Sequence, residues 1–239
     1  PTITGEKGFC ICATEPDAGT NTFRITTKAV KTGNKWILNG QKIFISGATT
    51  ADYGFLIAKT AIDTPGALSI FVIDMNSPGI VKQKQNIDVF TNENQYSVFF
   101  DDVELPEDAL IGDEGKGARY MFAGLNAERF IVSAICVGIS DLALVIFGDK
   151  PTGSYQAVQH PLAQSKANTD AARLMLYYGV KLYDEGIDAG VYANSAKLLS
   201  SQAAAAMCTD AIQFHGGSGM DSDTGMLALW KVAKTLSIA

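Results

Sequence analysis

Glu128 is the residue in this sequence best suited to acid–base chemistry. It recurs at helical spacing with Met121, Leu125 and Val132, which predicts that it lies on an apolar stripe of a helix. Burial there would raise the pKa of its carboxyl group toward the range of a general base, and Arg129 beside it could hold an anionic group. The structural alternative is a Glu at the edge of a helical bundle, paired with a Lys or Arg.

Two segments in the first quarter of the chain carry groups that could contact a flat or phosphorylated ligand. Thr14, Gly19 and Thr20 lie in a loop of small residues, where backbone N–H groups can approach a phosphate or a ring closely. A plain turn has the same composition. Phe44 and Ser46 are two apart in a strand pattern, so alternation predicts an aromatic wall and a hydroxyl donor on one face. A core Phe beside an exposed Ser is the alternative.

The other candidate motifs favour structural roles. The segment from Gln213 to Gly219 is rich in glycine but lacks the Gly-Lys-Ser/Thr ending of a P-loop, and helix C-capping explains its glycines equally well. His215 is expected to cap or pack, and His160 to start a helix. No metal site is expected, because no CxxC spacing occurs among the four cysteines, which are Cys10, Cys12, Cys136 and Cys208.

Composition excludes several classes of function. The 239 residues include 19 Lys and Arg against 25 Asp and Glu, a formal net charge of −6, so nucleic acid is not an expected partner. Phe130 to Gly148 is apolar, but Asp141 near its middle would cost ~2.5–3.5 kcal/mol in a bilayer, which favours a buried bundle helix over membrane insertion. The chain lacks both an initiator Met and a signal-peptide pattern, so a partial chain is expected.

The periodicity of the sequence changes once along the chain. Up to about Pro106, short runs rich in β-branched and aromatic residues predict an antiparallel β domain, a sandwich or barrel, with a tight hairpin turn at Asn39-Gly40. From about Glu114 onward, apolar residues recur at steps of three and four and predict long helices in a bundle. The predicted fold class is therefore α+β, a β domain followed by an α-helical bundle.

Six segments in this order resemble the acyl-CoA dehydrogenase family, and the resemblance runs along essentially the whole chain. They are ATEPDAGTN (Ala13 to Asn21), WILNGQKIFIS (Trp36 to Ser46), FFDDVELPEDALIGDEGKG (Phe99 to Gly117), LNAERFIVSA (Leu125 to Ala134), YQAVQHPLA (Tyr155 to Ala163) and AIQFHGGSG (Ala211 to Gly219).

The resemblance implies a middle β domain at residues 1–106 and a C-terminal helical bundle at 107–239, without the family's N-terminal helical domain or its C-terminal tail. The helix that ends near Phe147 is about nine residues short, roughly two and a half turns, so a deletion or gap near 147–150 is expected. The family's Arg ahead of Phe147-Gly148 is also missing. A homo-oligomer, dimer or tetramer, is implied, located in the cytoplasm, or in the mitochondrial matrix if the source is eukaryotic.

The family binds FAD, and the matching positions imply which residues contact it. The loop would contact the flavin through Ile11, Ala13 and Thr14, with Gly19 and Thr20 near the pyrophosphate. Phe44 stands where the family usually has Trp beside the flavin ring, and Ser46 where it has a hydroxyl residue that bonds flavin N5. The segment that reaches the adenosine half of FAD in a neighbouring subunit is matched by Gln213, Gly216 and Gly217.

The reaction implied is removal of the α proton of an acyl-CoA thioester with hydride transfer from the β carbon to flavin N5, which yields a trans-2-enoyl-CoA. An electron-transfer flavoprotein would accept the electrons. The Glu-Arg pair resembles that of the isovaleryl and long-chain enzymes, which implies Glu128 as the base, with Arg129 and Asn126 on the substrate side. The alternatives are an acyl-CoA oxidase or flavin monooxygenase on the same scaffold, or a truncated scaffold that does not bind FAD.

Overall fold

A computed structural model describes residues 2–60, 67–88, 94–148 and 151–238 of the chain. These residues form two compact units, the first containing the described residues up to Phe122 and the second those from Ala123. The α+β class, with a β unit followed by a helical bundle, is confirmed.

The first unit is built on one sheet. Within the described residues its strands are β1 (Phe9–Cys12), β2 (Lys28–Thr32), β3 (Lys35–Ser46), β4 (Tyr53–Lys59), β5 (Leu68–Asp74), β6 (Ile80–Lys84), β7 (Gln95–Pro106) and β8 (Leu110–Ile111). The strand order is β6-β7-β3-β2-β4-β5-β8, and β1 pairs with β4. The core on its inner face includes Trp36, Leu38, Leu56 and Phe71.

Two pairings in this sheet are parallel, although an antiparallel sheet was predicted. β1 runs parallel to β4 over its full length, and β2 touches β4 in parallel at one pair, Lys28 and Lys59. The remaining neighbours are antiparallel. The β2–β3 hairpin separates β1 from β4 in sequence. The chain therefore reaches β4 by a crossover connection, as a parallel pair requires, and not by a tight turn.

The predicted hairpin turn at Asn39-Gly40 is wrong. β3 continues through these residues, and the hairpin turn between β2 and β3 lies at Gly33-Asn34. Gly40 has φ +150° beside a register shift in the β3–β7 pairing, so it belongs to a β-bulge. The Asn39 side chain bonds Asp102 on β7 in both directions, through its amide nitrogen and its oxygen. A bulge and a type I′ turn both accept Asn-Gly, which is why the dipeptide misled the prediction.

Long helices dominate the second part of the chain. Among the described residues they are α1 (Gly117–Phe147), α2 (Gln156–Asp184), α3 (Gly190–His215) and α4 (Met226–Ile238). Cys136, Met207 and Met226, all fully buried, belong to a core formed by α1, α3 and α4 with one end of α2. The Ser140 and Thr169 hydroxyls, 2.5 Å apart, join α1 to α2.

α1 is long and apolar enough to cross a membrane by length and composition, with a mean hydropathy of 2.5 in its most apolar window. Its Phe130, Ser133, Cys136 and Ser140 are nevertheless buried inside the folded unit. Asp141 accepts a bond from Arg173 of α2 at 2.6 Å, so the charge that argued against membrane insertion has a partner in the bundle. α1 ends at Phe147. The predicted gap at 147–150 extends over residues 149–150, which lie outside the described residues.

Candidate functional site

The loop after β1 is anchored by a buried carboxylate. Glu15 Oε2 accepts bonds from the Thr26 backbone N–H and hydroxyl, each at 2.7 Å, and Oε1 accepts from the Thr27 N–H at 3.0 Å. Lys42 Nζ lies 2.9 Å from the same Oε1. Glu15 also closes a tight turn by exchanging backbone bonds with Ala18. The loop that carries Thr14 is therefore tied to the start of β2 and to the middle of β3.

Lys42 and Glu15 form an ion pair that is closed to solvent. The Lys42 side chain is 0% exposed and that of Glu15 is 3% exposed. Burial opposes the charge on Glu15, but the Lys42 ammonium and the Thr27 and Thr26 bonds outweigh it and lower the pKa of this carboxyl to about 2. Burial lowers the pKa of Lys42, while the Glu15 carboxylate opposes that shift. The remaining bond of Lys42 goes to the Ala13 carbonyl, at 2.9 Å.

Phe44 adopts a backbone conformation that is rare for an aromatic residue. Its φ is +57°, and a register shift between Lys42 and Ile45 shows that β3 is bulged there. A non-glycine residue in the left-handed region costs ~1–3 kcal/mol and persists where the surrounding structure enforces it, commonly at functional sites. Phe44 and Ser46 are both exposed, and Ile45 between them is buried, as the predicted alternation requires.

Ser46 is oriented by a neighbour on β7. Gln95 Nε2 donates to Ser46 Oγ at 2.7 Å, which leaves the hydroxyl hydrogen available to donate to a ligand. The Phe44 N–H donates to Gln85 Oε1 at 3.2 Å. The sequence analysis missed both glutamines as well as Glu15 and Lys42. The one sequence signal for the Lys42–Glu15 pair is a Lys at an inward-facing position of the strand pattern.

The loop and the strand with Phe44 are neighbours. The Ile43 N–H donates to the Thr14 carbonyl at 2.9 Å, and Ala13 is bonded to Lys42. Thr14 is half-buried, and Ile11, one strand residue from the loop, is 59% exposed. The resemblance further predicts that the Thr14 and Ser46 hydroxyls face the same cavity as Phe44, and this stays a prediction.

The far end of the loop is open. Gly19 and Thr20 are exposed, and a Cβ placed on Gly19 would have nothing within 4 Å among the described residues. A ligand can therefore approach this backbone closely, as the predicted contact with a pyrophosphate requires.

Glu128 does not lie on the buried stripe of α1. It is exposed, as is Ile135 about two turns further along the helix, whereas the buried stripe passes through Phe130, Ser133 and Val137. The predicted burial of Glu128 is wrong for this chain. The reason is that α1 is apolar on nearly every side, so spacing alone allows several stripes. Arg129 Nη1 donates to Asn126 Oδ1 at 3.2 Å, which places these two predicted substrate residues together.

The glycine segment ends α3. Gln213 is exposed on the last turn, and Gly216 at the helix C-cap has φ +62°, a conformation that favours glycine. The Gly216 N–H bonds the Gln213 carbonyl, and His215 Nδ1 lies 2.7 Å from the Ala211 carbonyl oxygen. Gly216 and Gly217 are exposed, and within the described chain neither would bring a Cβ within 4 Å of another atom. The capping interpretation is confirmed, and the surface remains open to a ligand.

The cysteines are buried free thiols. Cys10 and Cys12 have their sulfurs 3.8 Å apart on β1. Burial raises the pKa of Cys136 to about 11 and that of Cys208 to about 12, so neither is poised as a nucleophile. No group of three or more His, Cys, Asp or Glu side chains comes together as a metal site within the part of the chain that is described.

These features define a β unit followed by a helical bundle, and comparison with known proteins identifies the family. The family profile described as acyl-CoA dehydrogenase, middle domain, matches residues 10–103, and that for the C-terminal domain of the same enzymes matches residues 115–239. The chain belongs to the acyl-CoA dehydrogenase family.

Individual relatives agree with this assignment. "Acyl-CoA dehydrogenase fadE12" of Mycobacterium bovis is 36% identical over 98% of this chain and 64% of its own length. The butyryl-CoA dehydrogenase structure from Megasphaera elsdenii matches with a TM-score of 0.91 and 28% identity over 100% of this chain and 65% of that one. A structure described as "PigA with FAD and proline" matches with a TM-score of 0.92 and 30% identity over 99% and 64%. The chain thus spans less than two thirds of the length of these proteins.

Proposed function

We propose that this chain is part of an FAD-dependent acyl-CoA dehydrogenase that oxidises an acyl-CoA thioester to the trans-2-enoyl-CoA. The observation that carries the proposal is the pairing of Phe44, exposed in a strained bulge, with Ser46, whose hydroxyl is oriented by Gln95. An aromatic face and an O–H donor two residues apart fit the ring and N5 of a flavin. The family membership makes FAD the flavin expected there.

The residues of the β unit fit this cofactor. Ile11, Ala13 and Thr14 would contact the flavin ring beside Phe44, and the open backbone at Gly19 and Thr20 would admit the pyrophosphate. A phosphate needs backbone N–H donors that it can approach closely. Larger side chains at the positions of Gly19 and Thr20 would block that approach.

In the bundle, we assign Glu128 as the base that removes the α-proton of the substrate. Its carboxylate is exposed in this chain and therefore accessible to a substrate. Bound FAD supplies the acceptor for the hydride that leaves the β carbon. Arg129 and Asn126, bonded to each other, form a cationic and amide pair suited to the thioester or CoA side of the substrate. The weakly acidic α C–H requires both a placed base and a polarised carbonyl.

The test is the Glu128→Gln variant of the full-length protein. We expect it to bind FAD normally but to be reduced by acyl-CoA several orders of magnitude more slowly in anaerobic stopped-flow measurements. Glu185→Gln, an exposed carboxylate at the end of α2, is the matched control and should be reduced at the normal rate. Near-normal reduction of Glu128→Gln would show that the base lies elsewhere.

Assembly and electron transfer belong to the same proposal. The bundle exposes large apolar side chains, among them Leu174 at 70%, Tyr177 at 64% and Val191 at 75%, and exposed apolar groups of this kind favour burial against another copy. In that homo-oligomer, Gln213, Gly216 and Gly217 would reach the adenosine half of the neighbour's FAD. Light scattering gives the subunit number, and reduction of an electron-transfer flavoprotein by the acyl-CoA-reduced enzyme tests the electron acceptor.

A second candidate is a flavin oxidase or monooxygenase on the same scaffold. The match to the structure described as "PigA with FAD and proline" favours considering it, since proline, the molecule named there beside FAD, is not a thioester. Anaerobic reduction by acyl-CoA followed by exposure to air separates the two: rapid reoxidation by O₂ supports an oxidase. A visible spectrum without flavin bands would instead support a scaffold that does not bind FAD.

A further inference from the structure

We propose that Lys42 is a positioning residue for FAD, which acts by holding the Ala13 carbonyl and so fixing the flavin-contacting loop against β3. This inference rests on the proposed function, because it presumes that the loop contacts FAD. It assigns a role to a residue that has no expected contact with the cofactor. The alternative is that the Lys42–Glu15 pair contributes to the core only.

The bulge in β3 lets Lys42 and Phe44 face opposite ways. In a regular strand, residues two apart share a face, so a buried Lys42 would require a buried Phe44. Lys42 pairs with Val98 and Ile45 with Tyr96, so β3 carries one extra residue between these pairs. The extra residue allows Lys42 to point inward while Phe44 points outward. The strain at Phe44 is thus coupled to the inward position of Lys42.

Lys42 and the residue after it hold the loop at two consecutive carbonyls. Lys42 Nζ donates to the Ala13 oxygen, and the Ile43 N–H donates to that of Thr14, both at 2.9 Å. Both carbonyls belong to residues predicted to contact the flavin. The two bonds therefore set the distance between the loop and the strand that carries Phe44.

A buried amine is a costly way to make one core contact. An ion pair taken out of water is often matched or bettered in stability by apolar side chains of the same size, so stability alone is a weak reason for it. An apolar side chain cannot replace Lys42 as the hydrogen-bond donor to the Ala13 carbonyl. Lys42 combines both bonds, to Ala13 and to Glu15, in one fully buried ammonium group.

The two partners allow a matched experiment in the full-length protein. Lys42→Met removes the bond to Ala13 and also leaves the Glu15 carboxylate without its ammonium partner, whereas Glu15→Gln leaves the bond to Ala13 in place and gives Lys42 a neutral partner. Both should lower the melting temperature of the apoprotein. We expect Lys42→Met to weaken FAD binding by about tenfold more than Glu15→Gln does, the equivalent of one hydrogen bond. Lys35→Met, on an exposed pair of the same strand, controls for the Lys-to-Met change.

The spectrum of bound FAD supplies a readout that loss of stability would not move. At saturating FAD, the visible absorption and circular dichroism should shift in Lys42→Met but match the wild type in Glu15→Gln. If Lys42→Met does not fold, the double variant Lys42→Met/Glu15→Gln removes the unpaired carboxylate and still lacks the bond to Ala13. Wild-type affinity and spectrum in Lys42→Met or in this double variant would overturn the inference. Failure of the wild-type protein to bind FAD would overturn the proposed function instead.

Discussion

Gly40→Ala is the substitution that most directly tests how the β unit is assembled. A Cβ at Gly40 would lie 2.4 Å from Thr27 Oγ1 and 2.7 Å from the Thr27 Cα. Thr27 cannot easily yield, because its N–H bonds Glu15 and its carbonyl accepts from the Lys59 N–H at 2.8 Å. Gly33, in the hairpin turn of the same unit, provides the control. Its φ is +62°, and a Cβ there would meet no atom of the described chain within 4 Å.

The two substitutions therefore differ in crowding. At Gly33, a left-handed alanine costs ~1–2 kcal/mol, offset in part by the ~0.4–1 kcal/mol that alanine gains through a less flexible unfolded chain. At Gly40, backbone strain is joined by an overpacking cost of ~1–3 kcal/mol. We expect Gly40→Ala to destabilise the protein by about 3 kcal/mol or more and Gly33→Ala by about 1 kcal/mol.

Calorimetry of the full-length apoprotein measures the difference. At ~2–4 °C per kcal/mol, the melting temperature should fall by about 6–12 °C in Gly40→Ala and by about 2–4 °C in Gly33→Ala. Gly40→Ala should also weaken FAD binding, because displacement of Thr27 disturbs the carboxylate of Glu15 that anchors the loop. Equal melting temperatures for the two variants would refute the reasoning, since both the crowding at Gly40 and its φ of +150° predict a larger loss there than at Gly33.

Three further predictions follow from the same contacts. The pKa of Glu15 is about 2, so the stabilisation from its charge is fully present above about pH 4.5 and is lost as the pH falls toward 2. Chemical denaturation should show that the free energy of unfolding falls by about 3 kcal/mol over this range. Glu15→Gln should not show this loss. Gly179→Ala should lower the melting temperature, although alanine has a higher helix propensity than glycine, because the new Cβ would lie 2.6 Å from the Phe130 ring. Ser46→Ala should leave the apoprotein's melting temperature within about 2 °C of the wild type but weaken FAD binding about tenfold in a fluorescence titration.

Sequence reasoning predicted the elements with strong periodicity. The helices from Gln156, Gly190 and Met226 lie in the region from Glu114 onward that was predicted to be helical, because amphipathic helices in a bundle repeat the same spacing. The exposed pair Phe44 and Ser46 was also predicted, since alternation survives locally beyond the bulge.

The features it did not predict depend on long-range partners. The bulge at Gly40 is defined by Thr27 and by the pairing with β7, neither of which is visible in a local Asn-Gly pattern. Lys42 shares the inward alternation of Trp36 and Leu38, but only the fold shows that its buried partner is Glu15. The position of Glu128 depended on choosing one stripe of a helix that is apolar on most sides, and local spacing cannot make that choice.

The parallel pairing of β1 with β4 also determines when the loop after β1 can reach its final position. Gly8 and Asp52, 44 residues apart, are joined by a bond from the Gly8 N–H to the Asp52 carboxylate, and Phe9 pairs with Tyr53. Closing so long a segment is entropically costly and slow compared with the local β2–β3 hairpin. β1, although it precedes the other strands of this unit in the chain, is thus among the last of them to join the sheet. Under the proposed function, a nascent chain would acquire FAD at this loop only after β4 has been synthesised, so cofactor binding would follow folding of the sheet.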